Sequence, residues 1–445
     1  MSKPLVLVTA PVATRSGYGA HARDIVRSLI KLDKYDVKIW NVKWGSTPMN
    51  ALQKDDPNDT MIIDRLLSDA SLPQQPDVHI HIVIPSEFQT FGKFNIGITA
   101  GLECTAIPHK WVEGLNKMDL NIVPSNFVKE SIASTSFDVV DDNTKQIKGQ
   151  IRNQKPIEVL FEGTDTNIFK QTKEFSQMFL DEMKNVSESF NFLYTGHWLQ
   201  GKLGEDRKDT GMLLKVFLET FKDTKNAPGL IMKTSGAGFS VLDREDILGK
   251  INEIRKTVKC KKTLPSVYLL HGDFTDHEMN ELYNHPKVKA HVNITHGEGF
   301  GRPLLESSIS GKPVIASGWS GHLDFLSKQL SILVGGSLSD VPKSSFPKDM
   351  YVKGAQWFTA NYNEVSAVLK DVRNNYKKYT LKSKKLSKVN SSLYSLKKME
   401  KDFAKILDNH LPEFSEEVKL QLPKLKKVNK KSEPPKVKLP KLKRV

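Results

Sequence analysis

Apolar runs of six to eight residues recur along the chain in two series, and most are separated by helical patterns. The first series reads "LVLVTA" (5–10), "DVKIWNV" (36–42), "DVHIHIVI" (77–84), "FNIGITA" (94–100) and "LNIVPS" (120–125). The second reads "FNFLYTG" (190–196), "GLIMKTS" (229–235), "SVYLLHG" (266–272), "VKAHVNIT" (288–295), "KPVIAS" (312–317) and "SILVGG" (331–336). Helical stretches such as "AHARDIVRSLIKL", with Ile25, Val26, Leu29 and Ile30 on one face, lie between them. Strands that are apolar throughout are buried on both faces, and such strands joined by helices form parallel βαβ units. The expected fold class is therefore α/β, with two Rossmann-like parallel-sheet domains.

The domains are expected over 1–163 and 164–360, joined through "KPIEVLFEGTDTNIFK" (155–170), a strand with a turn-rich connection. Beyond them the pattern turns helical over 361–411, in "NEVSAVLKDVRNNYKKY" and "SLYSLKKMEKDFAKILDNHL". The segment 412–445 mixes proline, lysine and scattered leucine, and "LPKLKK" (422–427) returns as "LPKLKR" (439–444). Proline and like-charge repulsion make it a disordered basic tail in this reading.

The net charge of +15 belongs largely to that tail. Residues 419–445 hold eleven Lys or Arg against one acid, Glu433, leaving about +5 on the other 418 residues. Two readings of the tail stand side by side. It could contact a polyanion, nucleic acid or a membrane surface, or it could be merely solvated. No apolar run approaches the ~20 residues of a membrane helix. "MSKPLVLVTAPV" enters a strand without the features of a signal peptide, so a cytoplasmic location is expected. Cys104 and Cys260 are too far apart for a disulfide framework or a cysteine zinc motif.

Two stretches carry candidate chemistry. In "LVLVTAPVATRSGYGAHARDIV", Gly17, Gly19 and Ala22 match a G-x-G-x-x-A dinucleotide pattern. Six residues separate the strand from Gly17, and "IWNVKW" offers no acid for a ribose, so a glycine-rich lip at the sheet edge fits better. The second stretch is "THGEGFGRPLLE", a strand end, a glycine loop and a helix with Pro303 in its first turn. The glycines at 297, 299 and 301 let a ligand approach the backbone, and a helix N-terminus attracts phosphate. A carboxylate such as Glu306 can accept two hydroxyls of a sugar diol. A favourable acid in a helix's first turns also explains Glu306, but not Glu298 among glycines. His79 and His81 alternate on one strand face without an evident third ligand, which fits core histidines better than a metal site.

"EGFGRPLLE" resembles the E-x7-E signature of the retaining GT-B glycosyltransferases, the GT4-like or group 1 family. "VLFEGTDTNIF" is similar to the family's linker motif, with Thr164 where Val is common. "FLYTGHWLQGKLGEDRKDTGMLLKVF", "LHGDFTDHEMNELY" and "ECTAIPHKWVEGLNKMDLNIVPSNFVKES" resemble further family segments in the same order. The resemblance implies a GT-B fold, two domains facing a central cleft, with the last helices crossing back to the first domain. It implies retaining transfer of a sugar from a nucleotide-diphosphate sugar to an acceptor hydroxyl of a glycan, lipid or modified nucleic acid, without a metal or other cofactor. Glu306 would hold the ribose and Glu298 the donor sugar near its reacting end. Gly299, Phe300 and Gly301 would offer backbone N–H groups, and Lys208 would bind the diphosphate. The family's arginine after the first donor-domain glycine is His197 here, and Arg207 is the candidate replacement. Gly17 and Gly19 would form the acceptor-side phosphate loop, with Glu103 and His109 as acceptor or sugar contacts or, equally, a plain helix-edge acid and surface histidine. The rival function is a non-catalytic protein of this fold that binds polyanions through its tail.

Overall fold

The computed structural model describes residues 3–69, 71–141, 144–236 and 238–414. The first domain contains strands β1 (Leu5–Ala10), β2 (Asp36–Asn41), β3 (Val78–Ile82), β4 (Phe94–Ile98), β5 (Leu120–Val123), β6 (Ser136–Val140), β7 (Ile147–Arg152) and β8 (Ile157–Val159). Its helices are α1 (Gly17–Leu32), α2 (Pro57–Ile63), α3 (His109–Lys117) and α4 (Asn126–Ser134). The second domain contains β9 (Asn191–His197), β10 (Gly229–Ser235), β11 (Val267–Leu270), β12 (Val288–Asn293), β13 (Val314–Ser317), β14 (Ile332–Val334), β15 (Gly336–Asp340) and β16 (Gln356–Ala360). Its helices are α5 (Gln177–Lys184), α6 (Thr210–Phe221), α7 (Val241–Thr257), α8 (Asp276–Asn284) and α9 (Arg302–Ile309). The chain closes with α10 (Tyr362–Asn374), α11 (Tyr376–Leu393) and α12 (Leu396–His410).

Each domain is built on a six-stranded sheet, in the orders β2-β1-β3-β4-β5-β8 and β11-β10-β9-β12-β13-β14, with every pairing parallel. The α/β class and the two Rossmann-like sheets read from the sequence are present. Strands β1 and β3 are buried along their whole length, as their unbroken apolar runs require. Ile25, Val26 and Leu29 of α1 seal one face of the first sheet. Two antiparallel hairpins, β6–β7 and β15–β16, were not legible as strands in the sequence. The first is exposed on both faces, and neither has a long apolar run.

The closing helices divide between the domains rather than returning together over 361–411. Val365, Leu369 and Val372 of α10 belong to the second core, and Leu386 of α11 packs with Leu304 and Leu305 of α9. Only α12 enters the first core, through Met399, Phe403, Ile406 and Leu407. The crossing point sits against the interdomain connection, where Thr164 N–H donates to Tyr394 O (2.9 Å) and Leu396 N–H to Thr164 O (2.8 Å). Of the basic tail, residues 415–445 lie outside the described residues. Among the described residues, no helix is long and apolar enough to cross a membrane.

Candidate active site

In an open parallel sheet, ligands bind beyond the carboxyl ends of the strands where the strand order reverses. In the second sheet that point lies between β9 and β12. The loop after β9 carries Arg207 and Lys208, and the loop after β12 carries Glu298. Residues ninety positions apart in sequence thus meet. The Lys208 ammonium contacts the Glu298 carboxylate directly, and Arg207 Nη1 lies 3.6 Å from its other oxygen. The two loops are tied together: Arg207 O accepts from His296 N–H at 3.0 Å and from Thr295 Oγ1 at 3.1 Å.

Glu298 is 5% exposed and Lys208 8%. An isolated charge at that depth would be strongly disfavoured, so each needs the other. Burial raises the carboxyl of Glu298, but Lys208 and Arg207 outweigh it and hold the group below the usual carboxylate range. Burial draws the Lys208 ammonium below its ordinary value, with Glu298 opposing. Direct contact with an ionised carboxylate keeps the proton on Lys208. The backbone of Glu298 is also fixed: its N–H donates to Ser320 Oγ (2.9 Å) and its carbonyl accepts from Gly321 N–H (3.0 Å).

Helix α9 begins four residues later. Its N-cap, Gly301, has φ 96°, a left-handed conformation that glycine adopts without strain, and provides no side-chain cap. The N-terminal end of α9 therefore keeps its positive potential for a ligand. Gly299 presses on the first domain, where an added Cβ would overlap Ala100 O, and its carbonyl accepts from Ser125 Oγ at 2.5 Å. The Phe300 side chain points into the core against Phe325 and Tyr394, so only its backbone faces the loop.

Glu306 lies one turn into α9, next to a residue without an assigned role in the sequence reading. Arg302 Nε donates to Glu306 Oε1 (3.1 Å), and its Nη1 reaches Asp24 Oδ2 on α1 (2.6 Å), with Glu162 Oε2 at 3.9 Å. Tyr283 Oη donates to Glu306 Oε2 at 3.4 Å. Burial pushes the Glu306 carboxyl up to about 8, with Arg302 opposing and Asp276 reinforcing the shift. Arg302 is thus a hub between α9, α1 of the first domain and the interdomain connection. It sits inside the quoted glutamate motif, but nothing local announces its partner.

The first domain faces this cluster directly. Glu103 Oε1 pairs with Arg207 Nη1 at 2.8 Å. Gly17 and Gly19 open α1, where Ser16 Oγ accepts from Gly19 N–H at 3.0 Å. Arg15, just before them, reaches Asp273 beyond β11 at 3.0 Å. His197, at the end of β9, is exposed and shares its Nδ1 with Ser235 Oγ (3.2 Å) and Gly236 O (3.1 Å). His109 stands apart at the start of α3, with Glu113 at 3.4 Å and the edge of Phe137 as its contacts. His79 and His81 are buried, their rings 5.3 Å apart, with His79 Nε2 bonded to Thr9 Oγ1 at 2.9 Å. Among the described residues no group of three or more His, Cys, Asp or Glu is placed to hold a metal ion.

No known protein family and no curated protein matches the chain by sequence. Solved structures do match by fold. HepE from Anabaena, determined in complex with UDP and glucose, is 12% identical, with a TM-score of 0.59 over 91% of this chain and 100% of that one. Sucrose-phosphate synthase from Thermosynechococcus elongatus is 12% identical, with a TM-score of 0.59 over 92% of this chain and 99% of that one. A glycosyltransferase from Rickettsia africae is 14% identical, with a TM-score of 0.58 over 93% and 100%. These neighbours are glycosyltransferases of the GT-B fold, and this chain shares their two-domain architecture.

Proposed function

We propose that the chain is a retaining, GT4-like glycosyltransferase that takes a sugar from a nucleotide-diphosphate donor. The observation that carries the reading is the convergence of Lys208 and Arg207 on Glu298, at the strand-order reversal where α9 begins. A buried lysine and a half-buried arginine beside an uncapped helix N-terminus suit a diphosphate, a dianion that gains charge as it leaves. Groups placed where charge develops lower the barrier most.

In this reading the bond between the anomeric carbon and the diphosphate oxygen breaks as the acceptor oxygen bonds to the same face of that carbon. The acceptor's proton passes to the departing phosphate oxygen. Lys208, Arg207 and the N–H groups at the start of α9 stabilise the leaving diphosphate. Glu298 orients the sugar and Glu306 accepts the ribose hydroxyls. Gly299, Phe300 and Gly301 present backbone to the donor, while Gly17, Gly19 and Glu103 bound the acceptor side. The two carboxylates and two cations perform these roles without a metal ion. HepE, a chain of the same fold determined in complex with UDP and glucose, supports a nucleotide-sugar donor.

The test is turnover of sugar nucleotides, followed as release of the nucleoside diphosphate. Lys208→Ala is expected to lower turnover by about a hundredfold or more, the scale of losing one donor to a developing anion. Turnover at the wild-type rate would remove Lys208 from the diphosphate site.

A further inference from the structure

Helix α11 presents a face that the glycosyl-transfer chemistry does not use. Its 18 residues hold six lysines and no Asp or Glu. Ser383, Leu386, Ser387 and Asn390 form the buried face. Lys377, Lys384, Lys385 and Lys388 all point outward, and Leu381 lies among them at 65% exposure. Val389 (41%) and Leu393 (53%) are also exposed, on the flank of this face. Among the described residues only Lys378 of the six reaches a carboxylate, Asp371 at 3.2 Å. A merely solvated helix face does not need aliphatic side chains at its centre.

Beside the C-terminal half of α11 lies an open groove of about 500 Å³, lined by Lys170, Lys388, Ser391 and Ser392 next to Phe169 and Ile309. Ammonium groups and hydroxyls over an apolar floor match a phosphate headgroup with the start of its acyl chains. The helix is firmly held from behind: Ser387 Oγ donates to Ile309 O (2.7 Å) and Asn390 Nδ2 to Ser308 Oγ (2.8 Å), both on α9.

We infer that the exposed face of α11, with this groove, docks on an anionic phospholipid bilayer. Lysines along a helix attract an anionic leaflet additively, and aliphatic side chains between them enter the headgroup layer. Lysine stems also bury their methylenes while their ammoniums stay at headgroup level. Nucleic acid fits this face less well. The helix has no arginine for bidentate phosphate contacts, and its tyrosines, Tyr376 and Tyr379, pack inward rather than offering a stacking surface. Because α11 rests on α9, docking would hold the cleft at a fixed height above the bilayer.

The experiment is co-sedimentation of the full chain with vesicles of phosphatidylglycerol and phosphatidylcholine in equal parts, and with phosphatidylcholine alone. The tail is kept in every variant, so its lysines contribute equally throughout. Wild type is expected to sediment only with the anionic vesicles. Lys384→Glu/Lys385→Glu/Lys388→Glu is expected to weaken binding by about tenfold or more. Leu381→Asp should weaken it with an unchanged melting temperature, since the residue is exposed. Wild-type binding by the triple variant would assign the attraction to the tail and overturn the inference. So would a triple variant that loses binding to duplex DNA but keeps its vesicle binding.

Discussion

Glu306 and Arg302 show how much one residue's environment decides. A carboxyl held near 8 is largely protonated at neutral pH and accepts hydroxyls poorly. Its ionisation as pH rises through about 8 should strengthen nucleotide binding, and Glu306→Gln should abolish that rise. Calorimetry across this window separates the two, and a pH dependence identical in both proteins would detach Glu306 from the ribose. The same shift acts on stability with the opposite slope. A carboxyl raised in the folded state binds more protons there than in the unfolded chain. Its contribution is therefore full below the ordinary carboxylate range and is lost as pH climbs through about 8. At Glu298 the pairing matters more than the titration. Glu298→Ala leaves Lys208 buried without its partner and should cost about 3 kcal/mol in chemical denaturation. A cost near zero would mean that Lys208 reaches water in the variant. The glutamates of the site were legible in the sequence because they interrupt a run of glycines. Arg302 was not, since its partner Asp24 lies 278 positions away and only the fold brings them together.

At the scale of elements, the parallel strands were readable because burial on both faces demands unbroken apolar runs, as in β1 and β3. The hairpin β15–β16 was not: β15, "GSLSD", has one large apolar residue, and Leu338 is exposed. The periodicity of α12 was equally clear, yet spacing alone does not say which domain a helix covers. Phe403 answers that by its full burial in the first core. Phe403→Ala should destabilise the protein by roughly 3–5 kcal/mol, a cavity in a core far from the donor loops. Equilibrium unfolding followed by tryptophan fluorescence measures it. A loss below about 1 kcal/mol would show that α12 contributes little to the first domain, against its packing here.

Across the whole molecule, the cleft is bridged by ion pairs between the domains: Arg15–Asp273 at 3.0 Å, Glu103–Arg207 at 2.8 Å and Asp24–Arg302 at 2.6 Å. Arg207 belongs to the proposed donor site and Arg302 holds Glu306 beside it, so a bound diphosphate would compete with Glu103 of the first domain for Arg207. Removing Asp24 and Glu103 together, as Asp24→Asn/Glu103→Gln, should widen the cleft and raise the radius of gyration in solution scattering. An unchanged radius would leave closure to the Ser125–Gly299 contact and its neighbours. The diphosphate site at Lys208 admits a more direct test. Wild type and Lys208→Ala would be melted in the presence of UDP, GDP and ADP. A ligand at a hundred times its dissociation constant adds ~2.7 kcal/mol of stability. One nucleoside diphosphate is expected to raise the melting temperature of the wild type and to leave that of Lys208→Ala unchanged. No shift with any of them, or an equal shift in both proteins, would contradict a diphosphate site at Lys208.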